Sequence, residues 1–395
     1  MKLFYISNSR IPTEKAHGIQ IMKMCEAFTR AGIDLHLILP NRKNHIKDDP
    51  FDYYKIKNKF KITYLSNIDL VGKIPRFGFW LQSFTFAWSV KKYLAKNNDE
   101  AVVYSRDILP LFYILKNKKL KLFYEIHNWS NKLSFFHKKV FAKTKFSAIS
   151  NGLKKELLDY GIEDKNILIS PDGVDLEEFV INISREECRQ KLKIDSNKKI
   201  VLYTGHLYRW KGVYEVLPAA ALTPEVDFYF IGGTNYDINK FDAKIKDLNL
   251  SNVHVLGHKP YDQMPYYMKA ADILLLPNSK QFKISRLYTS PMKLFEYMAS
   301  NTPIVASDLP SIREILNEQN RVKKEDFEII WNLKQKKTNE IIEKTASDDE
   351  TKIRLHEGTS KFKKICVTNS IRQTALLMLE KTGQLYFMEH VISNE

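Results

Sequence analysis

The sequence predicts an α/β protein of two successive domains, each a parallel sheet flanked by helices. Short apolar runs alternate with segments of helical periodicity from the first residues onward, which is the pattern of βαβ units. That rhythm pauses near 175–184 and restarts at Lys199. A chain of 395 residues with 44% hydrophobic side chains has room for two cores of ordinary size.

Taken in order, the first domain opens with a strand over 2–7 and a loop holding Gly18. A helix follows over about 20–30, closed by Gly32, and then a strand over 35–39. Further strands fall at 61–65, 101–104, 120–126 and 146–149, with helical patterns at 84–96 and 109–115 between them. The second domain begins with a strand at 199–204, a loop with Gly205 and Gly212, and a helix from about Val213. Strands at 228–231, 253–256 and 273–276 end in Gly232-Gly233, Gly257 and Pro277, residues that turn a chain out of a sheet. The domain bounds are therefore 1–175 and 184–375. Ligands of open α/β sheets gather at the carboxyl ends of the strands, so the site is expected in a cleft where two such sheets face each other.

The segment SPMKLFEYMASNTPIVAS, residues 290–307, is the most informative. Ser290 suits an N-cap and Pro291 the first helical position, where no N–H is needed. Leu294, Phe295 and Met298 follow at helical spacing, and Ile304, Val305 and Ala306 form a short buried strand. A helix starting just after a loop presents free N–H groups and the positive end of a dipole, a ready site for phosphate. Backbone N–H groups around Thr289, Ser290, Met292 and Lys293 are the candidate donors, Pro291 having none. Glu296 lies within the first two turns, placed to accept from hydroxyl groups.

Composition excludes several classes. No apolar run approaches the roughly 20 residues that span a bilayer. The first residues lead straight into a strand rather than a secretory signal. Cys25, Cys188 and Cys366 lie far apart, without metal or redox spacing, as in a reduced cytoplasmic chain. No Asp-x-Asp pair or His/Cys cluster offers a metal site, so no metal or other cofactor is expected. Neither a dinucleotide-binding Gly-x-Gly-x-x-Gly nor a P-loop occurs.

Charge is lopsided. Residues 1–170 hold 30 Lys+Arg against 15 Asp+Glu and so carry +15 of the net +16. A one-sided field of this kind favours an anionic partner such as a lipid surface or a pyrophosphate-linked substrate. The lysines of YYKIKNKFKI alternate with aromatic and apolar residues and could bind nucleic-acid phosphates, but lysines protecting an edge strand give the same pattern.

Four stretches together resemble the retaining glycosyltransferases of family 4, which have the GT-B fold. They are the opening strand–loop–helix with His17-Gly18, SAISNGLKKELLDYGI with ILISPDGVDLEEF, VLYTGHLYRWKG, and the run from NVHVLGHKPYDQMPYYMKAADILLLP through SPMKLFEYMASNTPIVASDLPSIREIL. The resemblance covers 1–40 and about 146–316. It implies two Rossmann-like domains, the first for the acceptor and the second for a nucleotide-diphospho-sugar. It also implies a helix over 376–395 that returns to the first domain.

Residue by residue, the resemblance implies that Arg209 and Lys211 clamp the diphosphate, a use that suits a forked and a point cation. It puts Glu296 on the ribose hydroxyls, and His258 and Lys259 in a loop against the nucleobase. It gives Gly205 a close approach to the donor, and sets His127, His17 and Gly18 facing the site, His127 near the reacting sugar. The family's first glutamate, eight positions before Glu296, is Tyr288 here, and His17 stands in place of the first of a glycine pair. Both are departures from the pattern. The implied activity is metal-independent sugar transfer to a glycan or lipid-linked acceptor, in surface-polysaccharide or lipopolysaccharide assembly. The basic half would dock on the anionic inner face of the membrane. Of Phe77, Phe79, Trp80, Phe84 and Trp88, most are assigned to core packing. A nucleotide-sugar epimerase on the same fold is the runner-up. A non-catalytic nucleic-acid binder trails, because it leaves the four stretches without a role.

Overall fold

The computed structural model describes residues 2–96, 100–130, 132–194 and 197–316, and the backbone of 385–388. The chain divides into two units, Met1–Asp172 and Gly173–Glu395.

The first unit is built on seven parallel strands: β1 (Lys2–Ile6), β2 (Asp34–Pro40), β3 (Lys61–Leu65), β4 (Ala101–Ser105), β5 (Leu120–Ile126), β6 (Lys145–Ala148) and β7 (Ile167–Ile169). They lie in the order β3-β2-β1-β4-β5-β6-β7. The order reverses between β1 and β4, and such a switch point opens a crevice at the strands' carboxyl ends. Leu3, Phe4, Tyr5 and Ile6 of β1 are all buried, as expected of a central strand covered on both faces. β3, at the sheet edge, carries the last lysine of the alternating run, Lys61.

Three local expectations are corrected here. The first long helix begins at Ala16 rather than near Gln20, so His17 and Gly18 sit in its first turn. Gly18 lies against Thr13 and the Tyr54 hydroxyl, and a side chain there would collide with both. The glycine marks a close helix contact, not a loop. The second long helix spans Pro75–Ala95, starting well before 84, with proline in its first turn. Phe77, Phe79, Trp80 and Trp88 are each at least half exposed on it, so the core-packing assignment fails for these four.

Among its described residues the second unit has five parallel strands, β8 (Lys199–Thr204), β9 (Val226–Ile231), β10 (Val253–Gly257), β11 (Ile273–Leu276) and β12 (Ile304–Ser307). Their order is β10-β9-β8-β11-β12, and β13 (Leu385–Met388) joins the edge antiparallel to β12. The helix expected over 376–395 lies outside the described residues except at these four positions, where the chain is extended. The run Leu-Tyr-Phe-Met after Gly383 favours a strand over a helix. Buried Asp272 ties the sheet to the helix Arg185–Lys191. It accepts from Arg189 Nη2 at 2.7 Å and from the Ile200 N–H at 2.8 Å.

Candidate functional site

Each unit carries its own cluster of polar groups at the carboxyl ends of its central strands. In the second unit β8 runs out at Thr204 into Gly205, whose φ of 120° only glycine adopts readily. The helix Met292–Ala299 is pinned to this point by Tyr297. Its hydroxyl accepts from the Thr204 N–H at 2.9 Å and lies 3.1 Å from Thr204 Oγ1. The helix begins one residue later than expected. Pro291, not Ser290, occupies the cap position, and no side chain caps the helix. A cap proline has no hydroxyl to offer, so the first-turn N–H groups of Met292 and Lys293 are left for other acceptors. Thr289 and Ser290 are buried just before them.

Glu296, in the second turn, is buried and accepts from the Tyr261 hydroxyl at 3.1 Å. Burial and this nearby carboxylate push the Tyr261 phenol well above its usual range. Tyr261 belongs to a short turn, Tyr261–Gln263, directly after Lys259-Pro260. The loop holding His258 and Lys259 therefore meets Glu296 through Tyr261, while His258 itself is exposed.

Arg209 and Lys211 share a single turn, Arg209–Lys211, closed by Gly212 in the left-handed region with φ 72°. A side chain at Gly212 would strike the Pro277 carbonyl, so this turn is packed directly on the end of β11. The two cations differ in setting. Arg209 is exposed, and its charge acts on Tyr214. Lys211 is half-buried, stacks its ammonium on the Trp210 ring at 3.9 Å, and acts on Lys293.

Lys293 is the residue that sequence reasoning named only for its backbone. Its side chain is 9% exposed, and its Nζ makes no hydrogen bond among the described residues. Nζ rests 3.7 Å from the Tyr203 ring centre, and a methyl group on Gly205 would come within 2.9 Å of it. Burial first, and the like charge of Lys211 second, drive its pKa well below that of an ordinary lysine, while Glu296 opposes them. Tyr288, where the family has a glutamate, is 3% exposed, with Lys283 Nζ 5.2 Å from its ring centre.

In the first unit, Glu125 on β5 is the centre of a buried network. Its Oε1 accepts from Gln20 Nε2 at 2.9 Å and lies 2.8 Å from His127 Nε2, and Oε2 accepts from the Tyr5 hydroxyl at 3.1 Å. Arg106 Nη1 in turn donates to Gln20 Oε1 at 2.6 Å. Burial opposes ionisation of Glu125, but the hydrogen bond and charge of His127, with Arg106 and Gln20, outweigh it and hold the carboxyl at about 2. Nearby Asp172 is raised to about 6, by burial first and by the Glu125 charge. His17 is lowered to about 4 by burial and by Arg106. His17, Arg106, Glu125 and His127 line one cavity of about 440 Å³ together with Asp107 and Trp129.

The structure thus places His17 and His127 in one cavity, and Gly205, Lys211 and Glu296 around one helix start. Gly18 has its closest neighbours in Tyr54 and Thr13. Glu125 and His127 are two residues apart at the end of β5, a spacing that puts side chains on one side of an extended chain and a signal already present in LFYEIH. Asp172, Tyr261 and the Lys293 side chain carried no such signal, because each acts through neighbours distant in sequence.

Comparison with known proteins agrees with this architecture. The chain matches the family described as glycosyl transferases group 1 over residues 184–360, and glycosyltransferase family 4 over 18–178. It is 25% identical, over 52% of its length and 55% of the relative's, to an uncharacterised glycosyltransferase of Methanocaldococcus jannaschii. The chain thus spans about half the length of this curated relative. The structure of HepE from Anabaena with UDP-glucose superposes with a TM-score of 0.60 at 16% identity, covering 85% of this chain and 90% of that one. WaaG, a glycosyltransferase involved in lipopolysaccharide biosynthesis, superposes with a TM-score of 0.56 at 17% identity, covering 81% and 84%. Two parallel-sheet units in series, with family matches running through both, establish that the chain belongs to the family 4 glycosyltransferases of the GT-B fold.

Proposed function

We propose that the chain is a retaining hexosyltransferase that moves a sugar from a nucleotide-diphospho-sugar to a glycan or lipid-linked acceptor in surface-polysaccharide or lipopolysaccharide assembly. The second unit holds the donor and the first holds the acceptor. The observation that carries this reading is the uncapped start of the helix Met292–Ala299, beside the cation Lys211 and the buried acid Glu296. Two N–H groups and a dipole end suit the diphosphate, and the carboxylate suits the ribose hydroxyls. HepE, solved with UDP-glucose, makes a uridine nucleotide the first donor to try.

Chemically, the acceptor hydroxyl forms the new bond to the anomeric carbon as the bond from that carbon to the diphosphate oxygen breaks. The hydroxyl proton passes to the leaving phosphate, and Lys211 with the helix N–H groups stabilises the charge that develops there. No metal is required for these steps. The cavity of the first unit positions the acceptor through His127, fixed by Glu125.

One observation favours a second reading. A histidine hydrogen-bonded to a buried carboxylate, in a cavity, is also the arrangement of a general base, which an inverting transferase needs. The anomeric configuration of the product, read by NMR, separates the two. Retention supports proton transfer to the leaving phosphate, and inversion assigns His127 the base role instead. Epimerisation is separated by free nucleotide, which transfer releases and epimerisation does not.

The basic first unit docks on an anionic lipid surface at the inner face of the membrane. Phe77, Trp80 and Trp88 expose half or more of their surface on one helix that also carries Arg76, Lys91 and Lys92. Aromatic side chains with cations among them suit a lipid headgroup region.

A further inference from the structure

We infer that the side chain of Lys293 is an anion receptor in the second unit, taking a phosphate oxygen of the nucleoside diphosphate between the helix start and Gly205. This rests on the donor reading above and names a group within that site which does not follow from the family pattern.

Four observations converge. Nζ is nine-tenths buried with the rest of its side chain, yet has no hydrogen-bond partner among the described residues. An ammonium in that condition leaves three donors unused, at a cost of several kcal/mol unless an acceptor arrives or the group loses its charge. The Tyr203 ring beneath Nζ supplies a π face but no acceptor, its hydroxyl being turned to the His206 carbonyl at 2.7 Å. A side chain at position 205 would press on Nζ, and Gly205 leaves that space free. The backbone donors point the same way, since Lys293 lies in the first turn of the uncapped helix Met292–Ala299.

The charged groups that face Nζ are Lys211, which repels it, and Glu296, which attracts it. Glu296 already accepts from Tyr261, and Lys211 adds a second positive charge. A diphosphate entering here would meet two cations, the unpartnered Lys293 and its neighbour Lys211. Burial and Lys211 disfavour the charged form of Lys293 in the free protein, and an entering anion favours it, so donor binding is expected to draw a proton onto Nζ.

The test is calorimetric titration of the full chain at about pH 8 with UDP and GDP, whose terminal phosphate is almost wholly ionised there, and with inorganic pyrophosphate, which keeps part of its last proton and is compared for affinity alone. Two buffers of different ionisation enthalpy, Pipes and Tris, report proton uptake. Wild-type protein is expected to take up a fraction of a proton per nucleotide bound. Lys293→Met should bind at least tenfold more weakly without uptake, while its ligand-free melting temperature holds or rises because an unpartnered buried polar group has gone. Equal affinity in Lys293→Met, or wild-type binding with no proton uptake, would overturn the inference and leave the donor reading intact. No binding of any of the three probes to folded wild-type protein would overturn both. Proton uptake is measured on the wild-type chain, so the test stands even where the variant fails to fold.

Discussion

His127 Nε2 and Glu125 Oε1 lie 2.8 Å apart, Glu125 on β5 and His127 just past its end, at the wall of the first unit's cavity. The carboxylate is 2% exposed, and it also takes hydrogen bonds from Gln20 and Tyr5 and lies beside Tyr104. It therefore fixes the orientation of the imidazole, and through Gln20 it is linked to Arg106.

Glu125→Gln keeps the volume and loses the charge. Turnover should fall on the order of tenfold to a hundredfold while the fold persists, whereas His127→Ala should cost more. Removing the buried carboxylate altogether, as Glu125→Ala, leaves its donors unpaired and should cost about 3–5 kcal/mol of stability by denaturant melt. Glu125 has a folded pKa depressed to about 2. Its contribution is thus present above the ordinary carboxylate range and is lost as pH falls toward 2. Kinetics of the variants, with melts across pH, check both statements.

His17 and Asp172 make opposite demands on pH. His17 is depressed to about 4, so the unfolded chain binds its proton first and stability rises with pH between about 4 and the ordinary histidine value. Asp172 is raised to about 6, so the folded chain holds its proton longer and stability falls as pH rises from the ordinary aspartate value through 6. The two slopes oppose each other, and His36, also depressed to about 4, adds to that of His17. Relative to wild type, Asp172→Asn should steepen the rise of stability across this window and His17→Gln should flatten it. Parallel slopes in the two variants would contradict the assignment.

Lys211→Ala should lower kcat/KM for sugar transfer by at least tenfold, since Lys211 lies beside the uncapped helix and Lys293. Arg209→Ala should also lower it, but less, because Arg209 is exposed and acts on Tyr214. Far-UV circular dichroism should be unchanged in both. Steady-state kinetics with the donor identified by binding give the comparison, and full activity in both variants would remove the clamp.

The aromatic helix offers a separate test. Phe77→Ser with Trp80→Ser should reduce flotation with vesicles rich in anionic lipid several-fold at moderate salt, without lowering the melting temperature. Binding of the wild type should weaken as salt rises, because the unit carries +15 over residues 1–170.

How much of the fold and site is readable in the sequence depends on the physics of each element. Parallel strands covered on both faces read as unbroken apolar runs, so β5, β8 and β11 stand almost where the pattern puts them. β7, three residues long, leaves too little pattern to separate from a loop. The helix Pro75–Ala95 is apolar nearly all round, so periodicity does not say which face is buried, and its aromatics read as core. His17-Gly18 looks like loop chemistry because the Tyr54 ring that requires the glycine is 36 positions away. Lys293 is the hardest to see. A lysine on a helix is ordinarily solvated, and only the packing of Tyr203 and Gly205 shows that this one is not.

Binding of a nucleotide-diphospho-sugar by the second unit is tested most directly by a thermal-shift screen of the full chain. UDP, GDP, ADP, CMP and TDP and their common sugars are compared without added metal. One nucleoside-diphosphate series should raise the melting temperature by several degrees, with the rise lost in Lys211→Ala. A folded protein whose melting temperature no nucleotide or nucleotide sugar changes would contradict donor binding in the second unit.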